Sequence, residues 1–203
     1  IDLTKTAEAL KKATAFARDV AANGGSILFV GTKRQAKDII EKAAKEANMP
    51  YVTQRWLGGM LTNLNTISTR IHRVKKLEAQ QLDGSLDELT KKERLDISNE
   101  IDHLNKIFGG IKDMQGLPGA VFVVDMPRED IAIKEAKRLG IPVIAMTDTN
   151  ADPDLVEYVI PSNDDAIRAV SLVTNMIADA AKAGSALYNA KTKVDKEDVV
   201  DAD

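Results

Sequence analysis

Ser26-Ile27-Leu28-Phe29-Val30-Gly31 is an unbroken apolar run closed by a glycine. It lacks the alternation of a sheet wetted on one face, and it has the composition of a strand buried on both faces of a parallel sheet. Upstream, Leu10, Ala13, Phe16 or Ala17, and Val20 recur at helical spacing between Thr4 and Ala22, and Asn23-Gly24-Gly25 stops them. Downstream, Ala36, Ile39, Ile40, Ala43 and Ala47 share one face of a helix over residues 32–48, after which Pro50 restarts the chain in extended form through Gln54. These pieces make a strand, helix, strand unit. The same grammar returns at the far end. Residues 120–125 (AVFVVD) read as a buried strand, Ile131 to Leu139 as a helix, 142–148 (PVIAMTD) as another buried strand, 158–160 as a short one and Asp164 to Ala183 as a closing helix.

This alternation predicts an α/β fold, a doubly wound and mainly parallel sheet of flavodoxin or Rossmann type with right-handed crossovers. Between its halves Leu64, Ile67, Ile71 and Val74, and then Ile97, Ile101, Leu104, Phe108 and Ile111, advance in steps of 3 and 4. Those are heptad steps. Leu64 with Ile111, Ile67 with Phe108, Ile71 with Leu104 and Val74 with Ile101 all add to 175, as opposed residues of an antiparallel hairpin must. An antiparallel coiled-coil hairpin inserted over residues 62–111 is therefore expected, with arms reaching roughly 25 to 30 Å at 1.5 Å per residue. The globular domain then comprises residues 1–61 and 112–185, and residues 186–203 are an acid-rich tail expected to be disordered.

Over 203 residues there are 28 Lys plus Arg, 31 Asp plus Glu, two His and no Cys, a formal charge of −3. Zero cysteine excludes a disulfide scaffold, a thiolate zinc site and a cysteine nucleophile. A hydrophobic fraction of 44% and a charged fraction of 29% are those of a soluble globular protein, and no apolar run approaches a membrane span. No secretory leader pattern is present, so the cytoplasm is the expected compartment. The chain opens on Ile1 rather than Met, and a preceding segment is expected. The net charge is an average of unlike halves: residues 1–112 carry 19 basic and 14 acidic side chains, and residues 113–203 carry 9 and 17. Balances of +5 and −8 point to two different faces or partners.

Open parallel sheets bind ligands beyond the carboxyl ends of their strands. There Gly31-Thr32-Lys33-Arg34 joins a tight turn, a candidate helix cap and two cations, suited to a phosphate or to a plain solvated helix start. Its single glycine matches neither the dinucleotide fingerprint nor the phosphate-binding loop. Asp125, Asp148, Asp152, Asp164 and Asp165 cluster at later strand ends. Helix capping explains most of them, and the alternative is a divalent-cation site on Asp148, Asp164 and Asp165. His72 and His103 without a third imidazole or a thiolate do not make a zinc centre, and Gly-x-Ser-x-Gly is absent. In residues 54–63 (QRWLGGMLTN), Arg55 and Trp56 are either partner contacts or, for the indole, packing under the hairpin base. With only 4% aromatic residues a stacking platform for single strands is not expected, so nucleic-acid contacts should go to phosphates and sugars of folded RNA. Lys33, Arg34 and Lys37, Arg55, and Arg70, Arg73, Lys75 and Lys76 along the hairpin are the cations placed for it, although the last four equally suit a solvated helix face.

The blocks FVGTKRQA, QRWLGGMLTNLNTI, FGGIKDMQGLPGAVFVVD and IPVIAMTDTNADPDLVEYVIPSNDDAIRAV resemble, in order and spacing, those of the bacterial-type small-subunit ribosomal protein S-two family, from about Ile1 to Ala183. The resemblance implies a non-enzymatic structural constituent of the small ribosomal subunit in the cytoplasm, bound to ribosomal RNA and neighbouring ribosomal proteins. It also implies help in recruiting the mRNA-binding ribosomal protein S-one. It implies no required cofactor, no membrane and no obligate homo-oligomer. Carried onto this chain, RNA contacts fall on Lys33, Arg34, Arg55, Trp56, Arg70, Arg73, Lys75 and Lys76. A cytoplasmic sugar-phosphate or nucleotide enzyme using Gly31, Thr32 and Asp125 is the alternative, and a scaffold pairing its helical seam with another protein is a third.

Overall fold

The computed structural model describes residues 1–86 and 89–200, with side chains through Lys193. Five strands form one sheet: β1 (Ile27–Val30), β2 (Tyr51–Val52), β3 (Ala120–Val124), β4 (Val143–Thr147) and β5 (Tyr158–Pro161). Their order is β2-β1-β3-β4-β5 and every pairing is parallel. This is the flavodoxin-type order, whose switch point lies between β1 and β3.

Both faces of the sheet are covered, which is why β1, β3 and β4 lack polar alternation. Ile27, Phe29, Phe122, Val124, Ile144 and Met146 point to one face, beneath helices α1 (Leu3–Ala22), α2 (Lys37–Glu46) and α6 (Ile167–Val200). Leu28, Val30, Val121, Val123 and Ala145 point to the other, beneath α5 (Asp130–Arg138) and the loop carrying Trp56. Helices α1 and α6 approach closely through Ala13, Ala17 and Ala21 on one side and Ala178, Ala181 and Gly184 on the other. A Cβ at Gly184 would collide with the Arg18 carbonyl oxygen.

Two sequence expectations are corrected, and the structure bears on a third. The helix expected from Thr32 begins at Lys37, because the Thr32 side chain is bonded elsewhere and does not cap it. The tail expected to be disordered from residue 186 is helical to Val200, since α6 continues through a stretch with neither Gly nor Pro to stop it. Tyr188 of that extension lies over Gly24, where a Cβ would stand only 2.8 Å from its ring. Residues 201–203 of the tail lie outside the described residues.

The third concerns the insertion. Helices α3 (Leu64–Leu82) and α4 (Lys91–Phe108) occupy the expected places, the latter opened by a Thr90–Glu93 capping box. The centre expected at residues 87 and 88 lies outside the described residues. The polar bonds across these arms keep near the constant sum of 175 at Arg73 and depart from it at Glu78. Arg73 bonds Glu100, two residues from its expected partner Asp102, while Glu78 bonds Asn105 and Lys112 rather than the level of Ile97. Ile67, Ile71, Phe108 and Ile111 belong to the domain core, so the base of the arms is continuous with the α/β unit. Farther out, Leu82 and Leu95 are exposed and Lys91 to Asp96 are polar on nearly every face, leaving no apolar seam there.

Candidate nucleic-acid interface

The carboxyl edge of the sheet is built around Lys33, which follows β1. Its ammonium lies 3.1 Å from Asp125 Oδ2, 2.8 Å from Asp164 Oδ1 and 2.5 Å from Asp165 Oδ1. Asp125 follows β3 in the left-handed region at φ 70°, and Asp164 and Asp165 follow β5, so one cation ties three strand ends together. Burial works against the charge of Lys33, but the hydrogen bonds to Asp164, Asp165 and Asp125 outweigh it and raise its pKa. Burial, only partly offset by Lys33, raises that of Asp164, and the neighbouring Asp125 and Asp148 add to it.

Beside this cluster the Thr32 N–H and hydroxyl both donate to Glu129 Oε1, at 2.8 and 2.5 Å, and Arg128 Nε donates to the Thr32 hydroxyl at 2.8 Å. Burial raises the Glu129 pKa. The loop that follows β2 is organised by a second buried carboxylate, Glu135 of α5. Its Oε1 accepts from Trp56 Nε1 at 3.1 Å and the Gly59 N–H at 2.6 Å, and its Oε2 accepts from the Leu61 N–H, the Thr62 N–H and the Thr62 hydroxyl, each at 3.0 Å. Burial pushes its pKa up, yet these donors more than reverse the push and the net shift is downward. The loop is thus clamped from inside, with Trp56 buried beneath it and Arg55 left exposed on its outer side.

Along α3, Arg70 and Lys76 are exposed, Arg73 forms a bidentate pair with Glu100 at 2.7 and 3.1 Å, and Lys75 reaches Asp113 at 3.1 Å. Among the described residues Arg34, Arg55, Arg70 and Lys76 make no side-chain hydrogen bond or ion pair.

A family profile described as ribosomal protein S2 matches residues 1–184. The small ribosomal subunit protein uS2 of Coprothermobacter proteolyticus is 53% identical over 184 residues, covering 91% of this chain and 69% of that relative. The chain belongs to the ribosomal protein S2 family. As an S2 protein it is a structural, non-enzymatic constituent of the small ribosomal subunit, which replaces the sugar-phosphate or nucleotide enzyme considered from the Gly31 turn. No described helix is long and apolar enough to cross a membrane.

Within this S2 protein the candidate residues divide. Lys33 is half-buried and spent on three carboxylates. Trp56 is buried and donates to Glu135. Arg73 and Lys75 have carboxylate partners. Arg34, Arg55, Arg70 and Lys76 stand open to solvent. The residues entertained for a divalent cation have partners already. Asp164 and Asp165 surround the Lys33 ammonium, Asp148 accepts from the Thr149 N–H, and among the described residues no group of three or more His, Asp or Glu is placed to hold a metal. His72 and His103 are exposed, and His72 Nδ1 lies 2.7 Å from the Ser68 carbonyl oxygen. Sequence reading missed Arg128, Glu129 and Glu135. For Glu135 a signal existed, a lone carboxylate between Ala132 and Ala136 on the inward face of α5.

Proposed function

We propose that this S2 protein docks on small-subunit ribosomal RNA through Arg34, Arg55, Arg70 and Lys76, with α3 and α4 serving as the arm expected over residues 62–111. What carries the reading is the division among cations. These four are exposed and unpaired among the described residues, whereas Lys33, Arg73 and Lys75 are bound to carboxylates. An unpaired guanidinium or ammonium meets a phosphate without first giving up a partner, and each neutralised phosphate releases counterions. No cofactor enters the contact, and a single copy of the chain suffices.

The double variant Arg70→Glu with Lys76→Glu tests it by sedimentation with small subunits across a salt series. Binding should fall at every salt concentration, and the slope of log K against log salt should shrink by about 0.9 per lost phosphate contact. An unchanged slope would remove the arm from the interface. The acid-rich half, residues 113–203, is proposed as the side that meets protein neighbours, the mRNA-binding ribosomal protein S-one among them. Subunits carrying a charge-neutralised Asp152→Asn, Asp154→Asn variant should retain less of that protein, and equal retention would oppose this assignment.

A further inference from the structure

Between the carboxyl ends of β1 and β2 and the start of α5 lies a cleft of about 470 Å³, which the docking interface touches only at Arg55. Three cations line it, Lys37, Arg55 and Arg128, against one carboxylate, Glu129, whose Oε1 is already occupied by Thr32. Arg128 is anchored by Nε on the Thr32 hydroxyl, and no other bond of its guanidinium exists among the described residues. Lys37 is steadied by Gln54 at 3.2 Å. Cations held this way lose little side-chain freedom on meeting an anion. Trp56 and the exposed Ile131 add apolar wall.

The cleft opens at the switch point of the sheet, where ligands of open α/β folds bind, and its size is that of a small-ligand pocket, about 300 to 1,000 Å³. Arginine forks favour phosphate. Phosphates of a continuous RNA helix run along a convex surface, whereas a nucleotide turned out of the stack can enter a recess.

We propose that this cleft is a single-nucleotide subsite, which takes the phosphate of an unpaired RNA residue against Arg55, Arg128 and Lys37 and its nucleoside against Ile131 and Trp56. It rests on the RNA-docking reading and adds to it an unpaired residue as the thing recognised.

Trp56 is the only tryptophan of the chain and lines the cleft, so its fluorescence supplies the signal. The intact protein is titrated with inorganic phosphate, with uridine and adenosine monophosphates, with a short unpaired RNA oligomer and with an RNA duplex of the same length. A saturable change is expected with the oligomer, a weaker one with the monophosphates, and least with phosphate or duplex. Arg128→Gln and Lys37→Gln should each weaken the oligomer response about ten-fold, as loss of a charged hydrogen bond does, and Lys182→Gln should leave it unchanged. Using two variants keeps the test sound if one of them misfolds by circular dichroism. Silence of Trp56, or a response indifferent to both substitutions, overturns the subsite. A tighter response to the monophosphates assigns it to free nucleotides, and an equal response to duplex removes the unpaired residue, each of which overturns the proposal. Binding of whole small-subunit RNA by the same protein is measured in parallel. RNA binding with a silent Trp56 defeats the cleft and leaves docking intact, whereas oligomer binding without whole-RNA binding defeats docking and leaves the cleft.

Discussion

Glu129 and Glu135 sit on one short stretch of chain, both buried, and the fold shifts their proton affinities in opposite directions. The difference lies in the donors supplied. Glu129 receives the N–H and hydroxyl of Thr32 on a single oxygen, too little to offset burial, while Glu135 receives five donors across both oxygens. Glu135→Gln turns an amide toward N–H groups and should cost about 3 kcal/mol in urea unfolding, because buried donors are left without an acceptor. Glu129→Gln keeps a carbonyl for Thr32 and should cost under about 1 kcal/mol. A midpoint for Glu135→Gln equal to that of the parent would show that the clamp contributes nothing. The pH dependence separates them further. With its folded pKa lowered, Glu135 contributes stability that is full above the ordinary glutamate value of about 4.3 and lost as pH falls through the folded value. Glu129, raised, contributes stability that is full below about 4.3 and lost as pH rises through its folded value. Acid unfolding should therefore flatten in Glu135→Gln, and the loss of stability as pH rises from about 4.3 through the folded value should disappear in Glu129→Gln. Residue types alone did not disclose this, since a glutamate on a helix reads as solvated until its inward register and the donors facing it are known.

At the scale of elements the turn after β1 shows what spacing can and cannot reveal. The place of Gly31-Thr32-Lys33-Arg34 at the carboxyl edge is legible in the sequence, because the apolar run before it ends there. Which of its two cations is free was not legible, because the partners of Lys33 come from β3 and β5, more than 90 residues away in sequence. Lys33→Gln consequently separates a structural role from an RNA role. Removing the cation leaves Asp125, Asp164 and Asp165 facing one another with Asp164 buried and uncompensated, while Asp165 is open to solvent, so the cost falls at or below the roughly 3 kcal/mol of breaking a buried pair. A fall in melting temperature is expected, together with an unchanged salt slope for RNA binding measured at a temperature where the variant is folded. A stable variant with a reduced slope would return Lys33 to the interface. The helical insertion gives the complementary lesson. Steps of 3 and 4 assign an inward stripe to α3 and α4, and Ile67, Ile71, Val74, Ile101 and Phe108 are buried accordingly. The stripe does not say what it packs against. Part of it serves the domain core, and the polar first half of α4 offers no continuation, so the constant-sum register fails where Glu78 meets Asn105 and Lys112.

Across the whole molecule the question is how a chain of net charge −3 holds a polyanion. A basic half of +5 is a first answer, but counting residues overstates the positive charge on offer, because Lys33, Arg73 and Lys75 are already neutralised by carboxylates within the fold. Only side chains that exchange water and counterions for phosphate contribute to the salt dependence. The set carried over from the family resemblance contains seven cations, Lys33, Arg34, Arg55, Arg70, Arg73, Lys75 and Lys76. The structure leaves four of them unpaired among the described residues. On a continuous RNA helix, which has no unpaired residue to engage the cleft, these alternatives give slopes of log K against log salt of about −6 and about −3.5 at 0.9 per phosphate. We expect the shallower one. Lys75–Asp113 is a single contact at 3.1 Å to a carboxylate open to solvent, whereas Arg73–Glu100 is bidentate, so Asp113 is the partner most easily surrendered. A slope between the two values that drops on Lys75→Gln would identify Lys75–Asp113 as a pair that opens on binding, whereas a slope near −6 would mean that even the Lys33 cluster opens and that RNA remodels the sheet edge.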